Sequence, residues 1–227
     1  YSIADAQFSL SEQNISNGTA MGTDGTMGFP VLPSYTSKGG SLNVSGNTVS
    51  GTDNNGKAYS IVFNSSGKMT SWTYDGKDLI AVGPDLNSYR KVDNDRNFRP
   101  TFSNSASVSV TGALAKSGDN ATMSVKGRAN ACQYTIDYTF YPDGVVDMKV
   151  TFSPSASLAR MGLGMQFAAG FEDVEYYARG PWSNYADRKT GSMIGRYQTT
   201  VDDMVDEMLL PQSYGDHRDM RSLTLRN

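Results

Sequence analysis

Three polar clusters hold most of the residues that could do chemistry. The first is "YRKVDNDRNFRP", in which Asp93, Asn94 and Asp95 are flanked by Arg90, Lys91, Arg96 and Arg99. Asp-x-Asp can hold a divalent cation, but a calcium loop needs further oxygen ligands at set intervals and a closing Glu. Those are missing. The same residues also suit a turn whose Asx side chains cap backbone groups and whose acids pair with the arginines. The second is "YYARGPWSNYADRKTG", residues 176 to 191. Trp182 and Tyr185 offer flat faces for sugar C–H surfaces, and Asn184 and Asp187 offer partners for hydroxyls. An ordered loop uses the same residue types to pin itself down. The third is "PQSYGDHRDMRSLTL", where His217 beside Asp216 and Asp219 could form an acid–base pair or sit as an exposed or salt-bridged surface histidine.

The counts exclude several classes. Cys132 is the only cysteine and His217 the only histidine among 227 residues. An internal disulfide is therefore impossible, and a His/Cys zinc centre or a Cys–His or Ser–His catalytic pair is not supported. Cys132 falls in an alternating strand pattern and reads as a small core hydrophobe. A glycoside hydrolase needs two carboxylates across one bond, yet Glu12, Glu172, Glu175, Glu207 and the many Asp cannot be paired from sequence. The formal net charge of −3 favours neither nucleic acid nor an anionic membrane surface. No apolar run reaches the roughly 18 residues that span a bilayer. Asn-x-Ser/Thr triplets at Asn14, Asn17, Asn43, Asn64 and Asn120 lean the expectation toward an extracytoplasmic location.

The elements that must position these clusters are strands and turns. In "CQYTIDYTFYPDGVVDMKVTF", Cys132, Tyr134, Ile136, Tyr138 and Phe140 share one face. After Pro142-Asp143-Gly144 the alternation resumes at Val146, Met148, Val150 and Phe152, which predicts a hairpin with one buried face. A second hairpin runs from Tyr59, Ile61 and Phe63 through Ser65-Ser66-Gly67 to Met69 and Tyr74, with a tight turn at Asp75-Gly76. Alternation also marks 42–49, 106–114, 121–129, 161–168 and 173–178. Only "TTVDDMVDEML", 199–209, suggests a short helix, with acids suited to its N-terminus. Strands at this spacing predict an all-β sandwich or barrel. Residues 11–40 lack sustained alternation and read as a linker, which makes residues 1–10 a strand left from a preceding domain.

The order of the motifs carries more information than any one of them. "FNSSGKMTSWTYDGKDLIAVGPDLNSYRKVDNDR", then "ARGPWSNYADRKTG" with "IGRYQTTVDDM", then "PQSYGDHRDMRSLTLRN" resemble, in that order, the small-chain or fifth domain of glycoside hydrolase family 2 β-galactosidases. "IADAQFSL" is similar to the last strand of the immunoglobulin-like domain that precedes it there. The resemblance implies a large antiparallel β supersandwich over residues 41–227, similar to galactose mutarotase. A tryptophan that the family uses to wall its sugar site follows the last motif, and the chain ends at Asn227 before it, so the domain is expected to be incomplete at its C-terminus.

The resemblance also implies what this stretch does not carry. The family's acid/base and nucleophile glutamates lie in an earlier TIM-barrel domain of the same polypeptide, so no residue here is expected to be catalytic. Asp93, Asn94, Asp95, Arg96 and Arg99 fall in the loop that the family places near the active-site mouth. Gly180, Pro181, Asn184, Tyr185, Asp187, Arg188, Pro211, Gly215 and Arg221 match signature positions expected to be structural. Trp182 stands where the family is usually polar, and we keep it as a ligand platform. Ser183 replaces a family Glu, and Ser213-Tyr214 replace a Glu-Asn; two acids lost together point to a shared partner or to each other, and they leave the parent's preferred glycoside open. No cofactor is expected in this stretch, although the parent enzyme is expected to use divalent or monovalent cations.

The expected partners are the catalytic barrel, a β-galactoside and a further copy in a homo-oligomer, with neither nucleic acid nor membrane. A carbohydrate-binding module that works alone is the alternative function. An autonomous mutarotase-like enzyme would need two histidines with a carboxylate, and this chain has one.

Overall fold

A computed structural model describes residues 34–87, 107–129, 132–156, 161–185, 188–206 and 215–227. Fourteen strands run through them, and every strand pair is antiparallel. From Tyr35 onward the described residues divide between two compact units, Tyr35–Ala169 and Gly170–Asn227.

The first unit opens with a five-stranded meander: β1 (Ser41–Ser45), β2 (Thr48–Thr52), β3 (Ala58–Phe63), β4 (Met69–Tyr74) and β5 (Lys77–Asp78). The stretch 42–49, which alternation alone presents as one strand, is two. Gly46 takes φ 56° in a two-residue turn, so that Val44 pairs with Val49. Asp75 and Gly76 both have positive φ, the backbone of a type I′ turn, and close the β4–β5 hairpin as expected. A four-stranded meander follows, formed by β7 (Ser107–Ser117), β8 (Asn120–Ala129), β9 (Cys132–Phe140) and β10 (Val146–Pro154). Between the two sheets in sequence lies β6 (Ile80–Leu86), which pairs with β11 (Leu163–Phe167).

The two meanders share one core, which makes this unit a β-sandwich. Period-2 alternation puts Val49, Tyr59, Ile61 and Phe63 from one sheet against Met123, Val125, Ile136, Tyr138 and Phe140 from the other. The Phe63 ring meets Tyr138 and Phe140 edge-on at 5.4 and 5.8 Å. Cys132 is buried here, as its place in the alternation predicts, and burial pushes its thiol pKa up. Burial likewise pushes Tyr59 up to about 12, aided by the Asp143 charge, while its hydroxyl donates to the Ser41 carbonyl at 2.9 Å.

The same register fixes the opposite face of the five-stranded sheet. Its rows are Ser41–Thr52–Ala58, Asn43–Ser50–Ser60–Thr73–Asp78 and Ser45–Thr48–Val62–Ser71. All of these residues are exposed or part-exposed.

The second unit is a three-stranded sheet with β12 (Asp173–Gly180) between β13 (Met193–Thr200) and β14 (Ser222–Arg226). Val174, Tyr176 and Ala178 on one face of β12 are buried, with Tyr197, Met204, Met220 and Leu225 packed on them. The helical tendency of 199–209 yields only a 3-10 turn at Asp202–Met204 among the described residues, because β13 continues to Thr200.

Candidate functional site

The loop that leaves β12 and the segment that leads into β14 form one site in the second unit. Asn184 joins them. It is fully buried, and its Nδ2 donates to the Arg179 carbonyl at 3.1 Å and the Trp182 carbonyl at 3.0 Å. Its Oδ1 accepts from the Arg218 N–H at 2.9 Å, and its own N–H donates to the Asp216 carbonyl at 2.7 Å. Only an amide offers donors and an acceptor at these two ends, so an Asp in its place would lose both donated bonds. The second and third polar clusters of the sequence are thereby brought together.

Gly180 precedes a cis peptide to Pro181. A Cβ on Gly180 would lie 2.8 Å from both the Tyr176 hydroxyl and the Tyr197 ring, so the glycine makes room for two aromatic side chains. The Tyr176 hydroxyl donates to the Pro181 carbonyl at 3.1 Å. Arg188 closes the loop: its N–H donates to the Tyr185 carbonyl at 3.0 Å, its Nη2 to the Ser183 carbonyl at 3.2 Å, and its guanidinium lies 5.6 Å from the Tyr185 ring centre. Gly215 has φ 78°, and Arg221 donates its N–H to the Tyr177 carbonyl at 2.8 Å. Trp182, whose carbonyl is tied to Asn184, is 74% exposed.

A buried ion cluster supports the loop. Arg179 Nε meets Asp219 Oδ2 at 2.5 Å, and Lys189 Nζ lies 3.9 Å from the other carboxylate oxygen. Arg179 Nη1 also donates to the carbonyls of Ser192 at 2.9 Å and Lys189 at 3.3 Å. Asp219 itself has φ 55°, and its carbonyl oxygen accepts from Arg221 Nη1. The sequence offered Asp219 as a partner for His217, but the acid is taken by Arg179. His217 instead packs on Tyr176 with ring centres 4.7 Å apart, and its Nδ1 contacts the Arg179 carbonyl at 3.2 Å. A carbonyl only accepts, which assigns the ring proton to Nδ1.

Sequence reasoning passed over Arg179 and Lys189. The available signal was an Arg near the end of a strand whose other face is apolar. On the outward face of the same sheet, Glu175 bonds Arg226 at 2.8 Å and lies 3.8 Å from Arg196. The hydrogen bond and charge of Arg226 hold the Glu175 carboxyl below its usual range.

Asp93, Asn94, Asp95, Arg96, Arg99, Asp187 and Pro211 lie outside the described residues. The strand that leads to the first of these clusters is anchored by Asp85, which accepts from Tyr134 at 2.9 Å and Lys68 at 2.6 Å. Among the described residues, no three His, Cys, Asp or Glu side chains converge as a metal site.

Among the described residues, these features define an all-β chain with antiparallel sheets and a pinned Gly-Pro turn. The family model for the β-galactosidase small chain matches residues 55–227, and the chain belongs to that family. It is 29% identical over 198 residues to a β-galactosidase of Priestia megaterium, covering 79% of this chain and 18% of that one. It is 25% identical over 190 residues to a β-galactosidase of Halalkalibacterium halodurans, covering 75% and 18%. A third relative, the β-galactosidase BgaC of Bifidobacterium adolescentis, is 26% identical over 172 residues, covering 68% and 16%. The aligned stretch thus spans under a fifth of the length of these curated relatives.

Proposed function

We propose that this chain is a non-catalytic C-terminal domain of a β-galactosidase. Hydrolysis of terminal β-galactosides then falls to a catalytic barrel elsewhere in the same polypeptide, and this domain helps to complete its active site and its assembly. The observation that carries the reading is how the polar groups of the loop site are used. Asn184 serves the backbone, and Asp219 is buried against Arg179. Glu175 is held ionised by Arg226. A retaining glycosidase needs two carboxyls about 5–5.5 Å apart, one of them able to hold a proton at working pH, and these acids are committed to cations instead. On the same reading, Asp93, Asn94 and Asp95, with Arg96 to Arg99, lie toward the mouth of the barrel's active site.

One observation favours a second role. The Trp182 indole is exposed on a loop whose neighbours are fixed, and a rigid aromatic face is what stacks on a sugar. Galactoside binding by calorimetry and nitrophenyl-galactoside turnover, measured on the same sample of residues 1–227, separate the readings. Neither binding nor turnover is the expected result. Binding without turnover would shift the domain to carbohydrate recognition. Turnover that disappears when an acid of this chain is replaced would sink the proposal.

A further inference from the structure

The outward face of the five-stranded sheet is not composed like a surface that stays in water. Its middle row runs Asn43, Ser50, Ser60, Thr73, with Thr48 and Ser71 beside it. Of the twelve residues that the register puts on this face, eight are Ser or Thr and one is charged, Asp78 at the row's end. Charged side chains interspersed over a surface keep it soluble. Ser and Thr suit a contact instead. They are short, have little rotamer freedom to lose on contact, and offer a donor and an acceptor each close to a flat backbone.

The area of the face decides what kind of partner it fits. With strands ~4.8 Å apart and successive outward residues ~6.8 Å apart, twelve residues cover on the order of 400 Å². A stable contact between two separate chains buries about 800 Å² on each, twice what this face supplies. Contacts between domains of one chain begin near 600 Å² counted over both sides, which the face meets. The relatives carry more than four-fifths of their length outside the matched stretch, so their polypeptides have chain to supply the other side. We infer that this face docks an uncharged, hydrogen-bonding surface of another domain of the same polypeptide, with Ser50, Ser60 and Thr73 at its centre. The inference rests on reading this chain as part of a longer β-galactosidase, and it adds which surface makes the contact.

Thiol labelling of the full-length polypeptide tests it. Ser50→Cys and Ser60→Cys probe the face, and Ser65→Cys, in the exposed β3–β4 turn, is the reference; the native Cys132 is buried. Labelled peptides are quantified by mass spectrometry in folded protein and in urea. The face positions are expected to react at least about tenfold more slowly than Ser65→Cys when folded, because labelling needs an opening step, and at equal rates in urea. Equal rates in the folded protein overturn the inference. Protection that vanishes on dilution to monomers overturns it too, since a second copy would then be the cover. Ser60→Lys supplies an independent check: a lysine is harmless on an open sheet but not under a partner, so a thermal midpoint as unchanged as that of Ser65→Lys overturns the inference. Turnover by residues 1–227, which would defeat the non-catalytic reading, leaves the labelling result untouched.

Discussion

Between Tyr35 and Ala169 the chain is held by apolar side chains; between Gly170 and Asn227 it is held by directed polar bonds. Among the described residues the first unit buries seventeen apolar residues in one cluster and the second buries three, and the described part of the second is shaped by other contacts as well. These are made by Asn184, by the Arg179–Asp219 pair and by tyrosines packed over glycines. Apolar burial is non-directional and fixes which faces meet, but it does not specify the path of a loop. Hydrogen bonds to buried groups do, because each one left unmade carries a desolvation cost. Among the described residues, the loop after Gly180 is fixed in this second way, and the two units should fail in different ways.

The sharpest contrast comes from Phe140→Ala in the first unit. Phe140 is 1% exposed and stacks on Tyr138 at 5.8 Å, and truncating such a ring costs about 4 kcal/mol. Urea unfolding should show that loss directly, and a value under about 1 kcal/mol would mean the sandwich core is not what holds this unit. Asp219→Asn is the matching test of the second unit, with no change in volume. Asn tolerates positive φ as well as Asp does, so the backbone keeps its conformation while Arg179 and Lys189 lose their shared counter-charge. Leaving buried charge uncompensated costs about 3 kcal/mol. If Asp219→Asn proves neutral, the ion cluster is decoration and the small apolar cluster carries the unit after all.

The sequence made the first unit easier to read than the second, and the reason is the same difference. The strands from Cys132 to Phe140 and from Val146 onward were legible because every second residue is apolar and buried or half-buried. β13 has no such signature: its inward positions are Met193, Gly195, Tyr197 and Thr199, and Gly195 is there because a Cβ would lie 3.0 Å from the Tyr197 hydroxyl. A core built from tyrosine over glycine hides its period. The β1–β2 turn was missed for another reason, since Gly46-Asn47 interrupts an alternation that looks continuous until Val44 and Val49 are seen to pair. At the site, the residue types were legible but not their partners. Nothing local says that Asp219 belongs to Arg179, forty residues earlier in the chain, rather than to His217 two residues away.

Acid should reach the first unit at its edge before its core. Burial alone would raise the Asp143 carboxyl, but hydrogen bonds from the Lys38 N–H and the Tyr35 hydroxyl outweigh it and hold the group below its usual value of 3.8. A carboxyl depressed in the folded state contributes stability that is complete above its unfolded pKa and is lost as pH falls through its folded pKa. The tie from Asp143 to residues 35 and 38 is thus intact at neutral pH and released only below 3.8. The Lys38 amide resonance should move in that window while amides of β9 stay still. Simultaneous movement of both would show that the lead-in segment is as integral to the unit as its core.

The smallest effect on stability is expected from Trp182→Ala, and that is its use. An indole 74% exposed, whose carbonyl rather than whose ring is tied to Asn184, should change the unfolding free energy by less than about 0.5 kcal/mol. A loss above about 1 kcal/mol would place the ring inside the polar network and remove it as a platform. With stability unchanged, calorimetry with a galactoside becomes a clean measure of recognition. If the unsubstituted chain binds and Trp182→Ala does not, the polar unit has a task that the apolar unit lacks: its directed bonds exist to hold one aromatic face out to a sugar. If neither binds, the same bonds serve only to fix the loop's shape, and the contrast between the units is one of construction alone.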